Sequence, residues 1–130
     1  MSDERSIEHV FLIIDDDPMI TRLCTRILKR LGLSLKANTM HTALQQFQLN
    51  QDRLSVVLLD LNLGHEDGLS VFEACTEINP DVPFVVMSGY SEESMREHFA
   101  ADNLTQPSAF LSKPFTPTAM LELLEALLDA

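Results

Sequence analysis

Positive charge is what this sequence has least of: nine Lys and Arg stand against twenty Asp and Glu, for a net charge of −11. Gripping a nucleic-acid backbone or an anionic lipid surface takes clustered cations, so the composition argues against direct nucleic-acid binding and against membrane association. A basic partner or a bound cation suits it better. Cysteine is scarce too. Cys24 and Cys75 both fall within helical patterns and read as buried apolar filler rather than as a disulfide or a metal pair, so nothing requires an oxidising compartment. The four histidines show no metal-ligand spacing. No apolar run approaches membrane-spanning length, and the polar, charged stretch Met1 to Glu8 excludes a signal peptide; the expected location is cytoplasmic. Internal repeats and low-complexity segments are also missing.

What remains is the material of one ordinary domain: 130 residues, 45% hydrophobic, enough to bury a core without disulfides or metals. Residues 1–8 read as an N-terminal tail and residues 9–130 as the domain. Val10 to Ile14 is a continuous apolar run, the pattern of a strand buried on both faces, and it ends on Asp15, Asp16 and Asp17. Asp17-Pro18 is a helix start, with the carboxylate as N-cap and proline in the first turn. Ile20, Leu23, Ile27 and Leu31 then form one helical face, and Gly32 is expected to end it. Leu33, Leu35 and Ala37 alternate with polar residues, as on an edge strand. Thr39 caps a second helix carrying Met40, Ala43, Leu44 and Phe47 inward.

Val56-Val57-Leu58-Leu59 is a second fully apolar run, and it ends on Asp60. A loop from Leu61 to Asp67 leads to a helix with Val71, Phe72, Cys75 and Ile78 inward, closed by Asn79-Pro80. Phe84 to Met87 forms the fourth strand and ends in Ser88-Gly89-Tyr90. The following helix, Ser91 to Ala101, has only Met95 and Phe99 as strong apolar anchors. Ala109-Phe110-Leu111 is a short last strand before Lys113-Pro114, and Thr116-Pro117 opens a final helix with Met120, Leu123, Leu124 and Leu127 inward.

Five strands alternating with five helices predict a single-domain, doubly wound α/β fold of flavodoxin-like type, a five-stranded parallel sheet in the order 2-1-3-4-5. That order sets the first and third strands side by side, roughly 5 Å apart. Asp15, Asp16 and Asp60 then converge at the carboxyl edge, where such sheets bind ligands. Taken singly, Asp60 reads better as a turn former, and the bland reading of the other two is as solvated loop acids. Together they repel, and a hard divalent cation such as Mg²⁺ relieves the repulsion. The fourth strand brings the Ser88 hydroxyl to the same edge and the fifth brings the Lys113 ammonium. An acid cluster, a nucleophilic carboxylate, a hydroxyl and a lysine are the parts needed to hold a phosphoryl group on Asp60.

Four segments carry a family resemblance: Ile13-Ile14-Asp15-Asp16-Asp17-Pro18, Leu58-Leu59-Asp60-Leu61-Asn62-Leu63 with Asp67-Gly68, Met87-Ser88-Gly89-Tyr90, and Phe110-Leu111-Ser112-Lys113-Pro114-Phe115. From about His9 onward the chain resembles the receiver domain of response regulators, the phosphoacceptor of two-component signalling. The resemblance implies that Asp60 accepts a phosphoryl group from a histidine kinase or phosphotransfer protein. Asp15, Asp16, Asp60 and the backbone carbonyl of Asn62 would hold Mg²⁺, and Ser88 and Lys113 would hold the phosphoryl oxygens. Ser88 and Phe110 would be the switch pair, the ring turning inward as Ser88 moves, and Asn62 and Tyr90 would tune dephosphorylation. It implies a cis Lys113-Pro114 bond and a changing surface on the fourth helix, fifth strand and fifth helix. Such a protein is a phosphoprotein with autodephosphorylation as its only turnover, monomeric or dimerising on phosphorylation. The departures are Gly64, where the family commonly has proline and which is expected to loosen the loop, and Phe110, which lacks a hydroxyl, so that any switch runs on packing alone. With no output module after Ala130, the expectation is a stand-alone regulator or a segment of a larger regulator or hybrid kinase. A phosphorylation-independent interaction module and a small aspartyl-nucleophile phosphatase are the competing readings; the second usually needs an acid where Asn62 stands.

Overall fold

A computed structural model describes residues 8–100 and 105–129. The expected tail residues 1–7, the helix end at Ala101 and Ala130 lie outside the described residues. The chain runs β1 (His9–Ile14), α1 (Pro18–Leu28), β2 (Gly32–Ala37), α2 (Met40–Asn50), β3 (Val56–Asp60), β4 (Asn62–Leu63), β5 (Glu66–Asp67), α3 (Gly68–Ile78), β6 (Phe84–Ser88), α4 (Glu92–Ala100), β7 (Ala109–Ser112) and α5 (Pro117–Leu128).

The main sheet has the order β2-β1-β3-β6-β7, every pairing parallel. Counted without the two short strands β4 and β5, this is the order 2-1-3-4-5 expected from the flavodoxin-like pattern. The continuous apolar runs form β1, β3 and β6 because these strands bury both faces. Leu12, Ile14, Val57, Leu59 and Val86 face one core with residues of α2, α3 and α4. Phe11, Ile13, Leu58, Val85 and Met87 alternate to the other, beneath α1 and α5. Cys24 and Cys75 are free thiols, one buried in each core, as the helical pattern implied. Among the described residues, no helix is long and apolar enough to cross a membrane.

The caps were readable locally. Asp17, Thr39, Asp67 and Thr116 each accept a backbone N–H in the first turn of α1, α2, α3 and α5. Pro18 and Pro117 open their helices, where the missing N–H costs no hydrogen bond.

Three local expectations need correction. Gly32 does not terminate α1, which ends at Leu28; it begins β2 opposite His9, where a Cβ would come within 1.9 Å of the His9 carbonyl oxygen. Close strand approach, not helix capping, selects glycine there. Ile78, expected inward, is 36% exposed at the last position of α3, beyond the buried stripe of Leu69, Val71, Phe72 and Cys75. The segment 61–67 is not a plain loop: β4 and β5 pair antiparallel across the two-residue turn Gly64-His65. Gly64, at the turn of this hairpin, has φ +64°, a conformation closed to proline.

Candidate functional site

The register brings the acids together. Ile14 pairs with Leu59 and Asp60 with Met87, so β1, β3 and β6 finish level at one edge of the sheet. Asp15, the first residue beyond β1, donates its N–H to the Ala37 carbonyl at 3.1 Å. Its Oδ1 accepts from the Asp17 N–H at 2.9 Å. Asp60 Oδ1 accepts from the Asn62 N–H at 3.0 Å. One carboxylate oxygen each from Asp15, Asp16 and Asp60 lies within 4.8 Å of the others. Asp15 and Asp60 are buried and Asp16 is exposed. The Asp60 side chain keeps 8% of its surface open, so it lies at the floor of the site without being sealed.

Lys113 reaches the same point from the end of β7. Its Nζ donates to Asp60 Oδ2 at 3.1 Å and to Asp15 Oδ2 at 3.2 Å. Burial pushes the Asp15 carboxyl up to about 6; the Asp17 N–H opposes this, the charge of Asp60 adds to it, and Lys113 again opposes it. Burial alone would weaken the Lys113 ammonium. The charges of Asp60 and Asp15, with their hydrogen bonds, outweigh that and hold its pKa above the ordinary lysine value. Two buried carboxylates thus share one ammonium beside a third, exposed acid, an arrangement with room for further positive charge.

Ser88 ends β6 and is buried. Its Oγ accepts from the Tyr90 N–H at 3.1 Å, while the Lys113 N–H donates to the Ser88 carbonyl at 2.7 Å. The Tyr90 ring is 70% exposed and Asn62 is exposed, and both line a hollow of about 730 Å³ with Ser88, His65 and His98. A second hollow of about 590 Å³ opens on the other side of the acids, between Asp15, Asp16, Arg22, Lys36 and Thr42. The Lys113-Pro114 bond is cis.

Phe110 is already turned inward. It is 4% exposed, its ring 5.8 Å from that of Phe99, and the Arg96 guanidinium lies 4.9 Å above its centroid. Glu92 holds Arg96 by two hydrogen bonds of 2.7 and 3.0 Å. The sequence reading missed Arg96 and Glu66. An i, i+4 acid and arginine pair was visible in the sequence, but nothing local linked it to a ring in another element. Glu66 Oε1 accepts the Met40 N–H at 2.7 Å, a contact between α2 and the hairpin that no local pattern signals.

Residues 11–125 match the model of the response regulator receiver domain family. The chain is 31% identical over 115 residues to the DNA-binding transcriptional regulator NtrC of Proteus hauseri, spanning 87% of this chain and 23% of that protein. It is 32% identical over 111 residues to the regulatory protein VirG of Agrobacterium fabrum, 84% of this chain and 41% of that one. A protein-glutamate methylesterase/protein-glutamine glutaminase of Treponema pallidum is 28% identical over 80% of this chain and 26% of its own length. The chain therefore spans less than half the length of these relatives. Among solved structures, a CheY-like receiver domain protein of Methanospirillum hungatei superposes with a TM-score of 0.81 at 22% identity over 95% of each chain. The receiver domain of a Pseudomonas aeruginosa sensor histidine kinase, with magnesium in its active-site cleft, gives 0.79 at 18% identity over 95% of this chain and all of the other. Together with the five-stranded parallel sheet and the acids gathered at its edge, these matches show that the chain belongs to the response regulator receiver domain family.

Proposed function

We propose that residues 9–130 act as a phosphorylation-driven switch in which Asp60 accepts a phosphoryl group from a histidine kinase or histidine phosphotransfer protein. The observation that carries this reading is the Lys113 ammonium shared by Asp15 and Asp60, with Asp16 beside them, at the carboxyl edge of a parallel sheet. In the transfer, an Asp60 oxygen forms the new O–P bond as the donor's N–P bond breaks and the electron pair leaves on the imidazole nitrogen. Lys113 neutralises charge on the transferred group, and the Ser88 hydroxyl exchanges its bond with the Tyr90 N–H for one to a phosphoryl oxygen. Water later attacks phosphorus and returns Asp60 to the carboxylate, at a rate set by access past Asn62 and Tyr90.

The donor set fits Mg²⁺: three carboxylates offer oxygens within 4.8 Å of one another, and the Asn62 backbone carbonyl would complete the protein's share. When bound, the ion supplies charge neutralisation to the phosphoryl oxygens. Two buried carboxylates with one lysine between them support the need for such a cation.

Charge on Asp60 biases the surface formed by α4, β7 and α5, with Ser88 and Phe110 as the coupled pair. The Phe110 ring, packed on Phe99 beneath Arg96, links β7 to α4 and would report any movement of Ser88. Downstream partners recognise that surface in the cytoplasm, and loss of the phosphate is the only turnover. Incubation with acetyl phosphate and Mg²⁺, followed by intact-mass measurement, tests the reading. The wild type gains one phosphoryl group and Asp60→Asn gains none; a gain in the variant, or none in the wild type, overturns it.

A further inference from the structure

The β4–β5 hairpin touches three separate parts of the molecule. Leu63 is buried in the core beneath α2 and α3. Glu66 Oε1 accepts the Met40 N–H, the first of α2, at 2.7 Å, while the Thr39 and Thr42 hydroxyls accept each other's backbone N–H in the capping box. The free N–H groups and the dipole of a helix start favour a carboxylate there. At the turn, Gly64 lies against the acid cluster: a Cβ built on it would come 2.9 Å from Asp16 Oδ2, and its φ of +64° disfavours ordinary side chains independently.

Asp16 is the exposed member of the cluster, the one whose carboxylate packing constrains least. The Gly64 backbone occupies one side of it, and the hairpin that carries Gly64 is tied down by Glu66. We propose that Glu66 is a positioning residue for the acceptor site. By anchoring the hairpin to α2, it keeps Gly64 against Asp16 and so keeps that carboxylate turned toward Asp15 and Asp60, ready for a divalent cation. This rests on the reading that these three acids hold Mg²⁺. The α2 start and the acceptor site are thereby mechanically joined through one hydrogen bond.

The test is a titration of the unphosphorylated full chain with Mg²⁺ alone, followed by amide NMR shifts, with thermal midpoints recorded in the absence of the ion. Glu66→Ala is expected to weaken Mg²⁺ binding about tenfold, in the range typical of residues that orient metal ligands. Glu66→Gln keeps an acceptor oxygen and restores binding to near the wild-type value. Gly64→Asn, which tolerates positive φ but adds a Cβ against Asp16, weakens binding as well. Unchanged affinity in Glu66→Ala, even with a lower midpoint, overturns the proposal by reducing Glu66 to a helix cap. Equal losses in Glu66→Ala and Glu66→Gln overturn the hydrogen-bond assignment, and unchanged affinity in Gly64→Asn overturns the Asp16 contact. If the wild type itself binds no Mg²⁺, the failure belongs to the underlying reading of the acid cluster.

Discussion

Lys113 donates to two carboxylates that the sequence separates by 45 positions, and the energetics of the site turn on that sharing. Asp15, raised to about 6 by burial, holds a proton in the folded state at pH values where the unfolded chain has lost it. Its contribution to stability therefore falls as pH rises from about 3.8 to about 6. Removing the ammonium moves the folded pKa further up and enlarges the loss. Lys113→Met is expected to cost about 3 kcal/mol at pH 8, the scale of breaking a buried ion pair, and to recover part of it at pH 5. Urea midpoints at the two pH values, referenced to Asp15→Asn, check the sign. The thiols give a second residue-level prediction. Burial pushes Cys24 and Cys75 up to about 12, from an ordinary value of 9.0, with the charge of Asp15 adding to the rise at Cys24. Between pH 9.0 and about 12 the unfolded thiols ionise and the folded ones do not, so each subtracts up to about 1.4 kcal/mol of stability per pH unit. A thiol reagent at pH 8 should label neither until the chain unfolds, and Cys75→Ala should flatten the alkaline loss.

Among the helices, α4 has the thinnest apolar anchoring. Met95 and Phe99 are its buried residues, against five buried positions on α3; α5 also has two, Met120 and Leu124, but packs Leu121, Leu123, Leu127 and Leu128 against its core as well. Its remaining attachment to β7 runs through the Phe110 ring, packed on Phe99 and covered by an Arg96 whose own side chain is 59% exposed. An exposed ion pair such as Arg96–Glu92 contributes only about 0.3–0.5 kcal/mol. Local opening should therefore occur first in α4. Amide exchange is expected to be faster across residues 92–100 than across α3 or α5, and Arg96→Ala should speed it further without altering β1 or β3. Uniform protection across the helices would contradict this. The sparse stripe of α4 was legible in the sequence because burial follows helical periodicity. The arginine over Phe110 was not, because that contact depends on how α4 lies against β7.

For the molecule as a whole, the net charge of −11 makes self-repulsion part of the folded state, most sharply at the edge where three carboxylates meet. An ion that binds the folded chain alone adds stability by mass action. Mg²⁺ at a hundred times its Kd should add about 2.7 kcal/mol. Asp16→Asn should lose most of that gain while changing the ion-free stability little, because Asp16 is exposed. Denaturant midpoints with and without the ion measure both quantities. The same global view explains what was readable in advance. The two-face apolar runs of β1, β3 and β6 specify covered parallel strands, and Asp17, Thr39, Thr116 and the paired prolines mark helix starts by chemistry within four residues. Gly32 and the hairpin were misread because each depends on a neighbour distant in sequence, the His9 backbone and the first N–H of α2, and Ile78 because it lies at the end of α3, past the buried stripe.

Local order therefore came from the sequence itself: hydrophobic periodicity selects strand or helix, and capping residues set the helix starts. Those forces act between residues a few positions apart and leave their mark in the string. The tertiary structure alone decided that Lys113 binds both acids, that Phe110 is inward beneath Arg96, and that Glu66 ties the β4–β5 hairpin to α2. Each is a contact of a few ångströms between segments whose separation along the chain carries no information about their distance in space until the sheet is assembled.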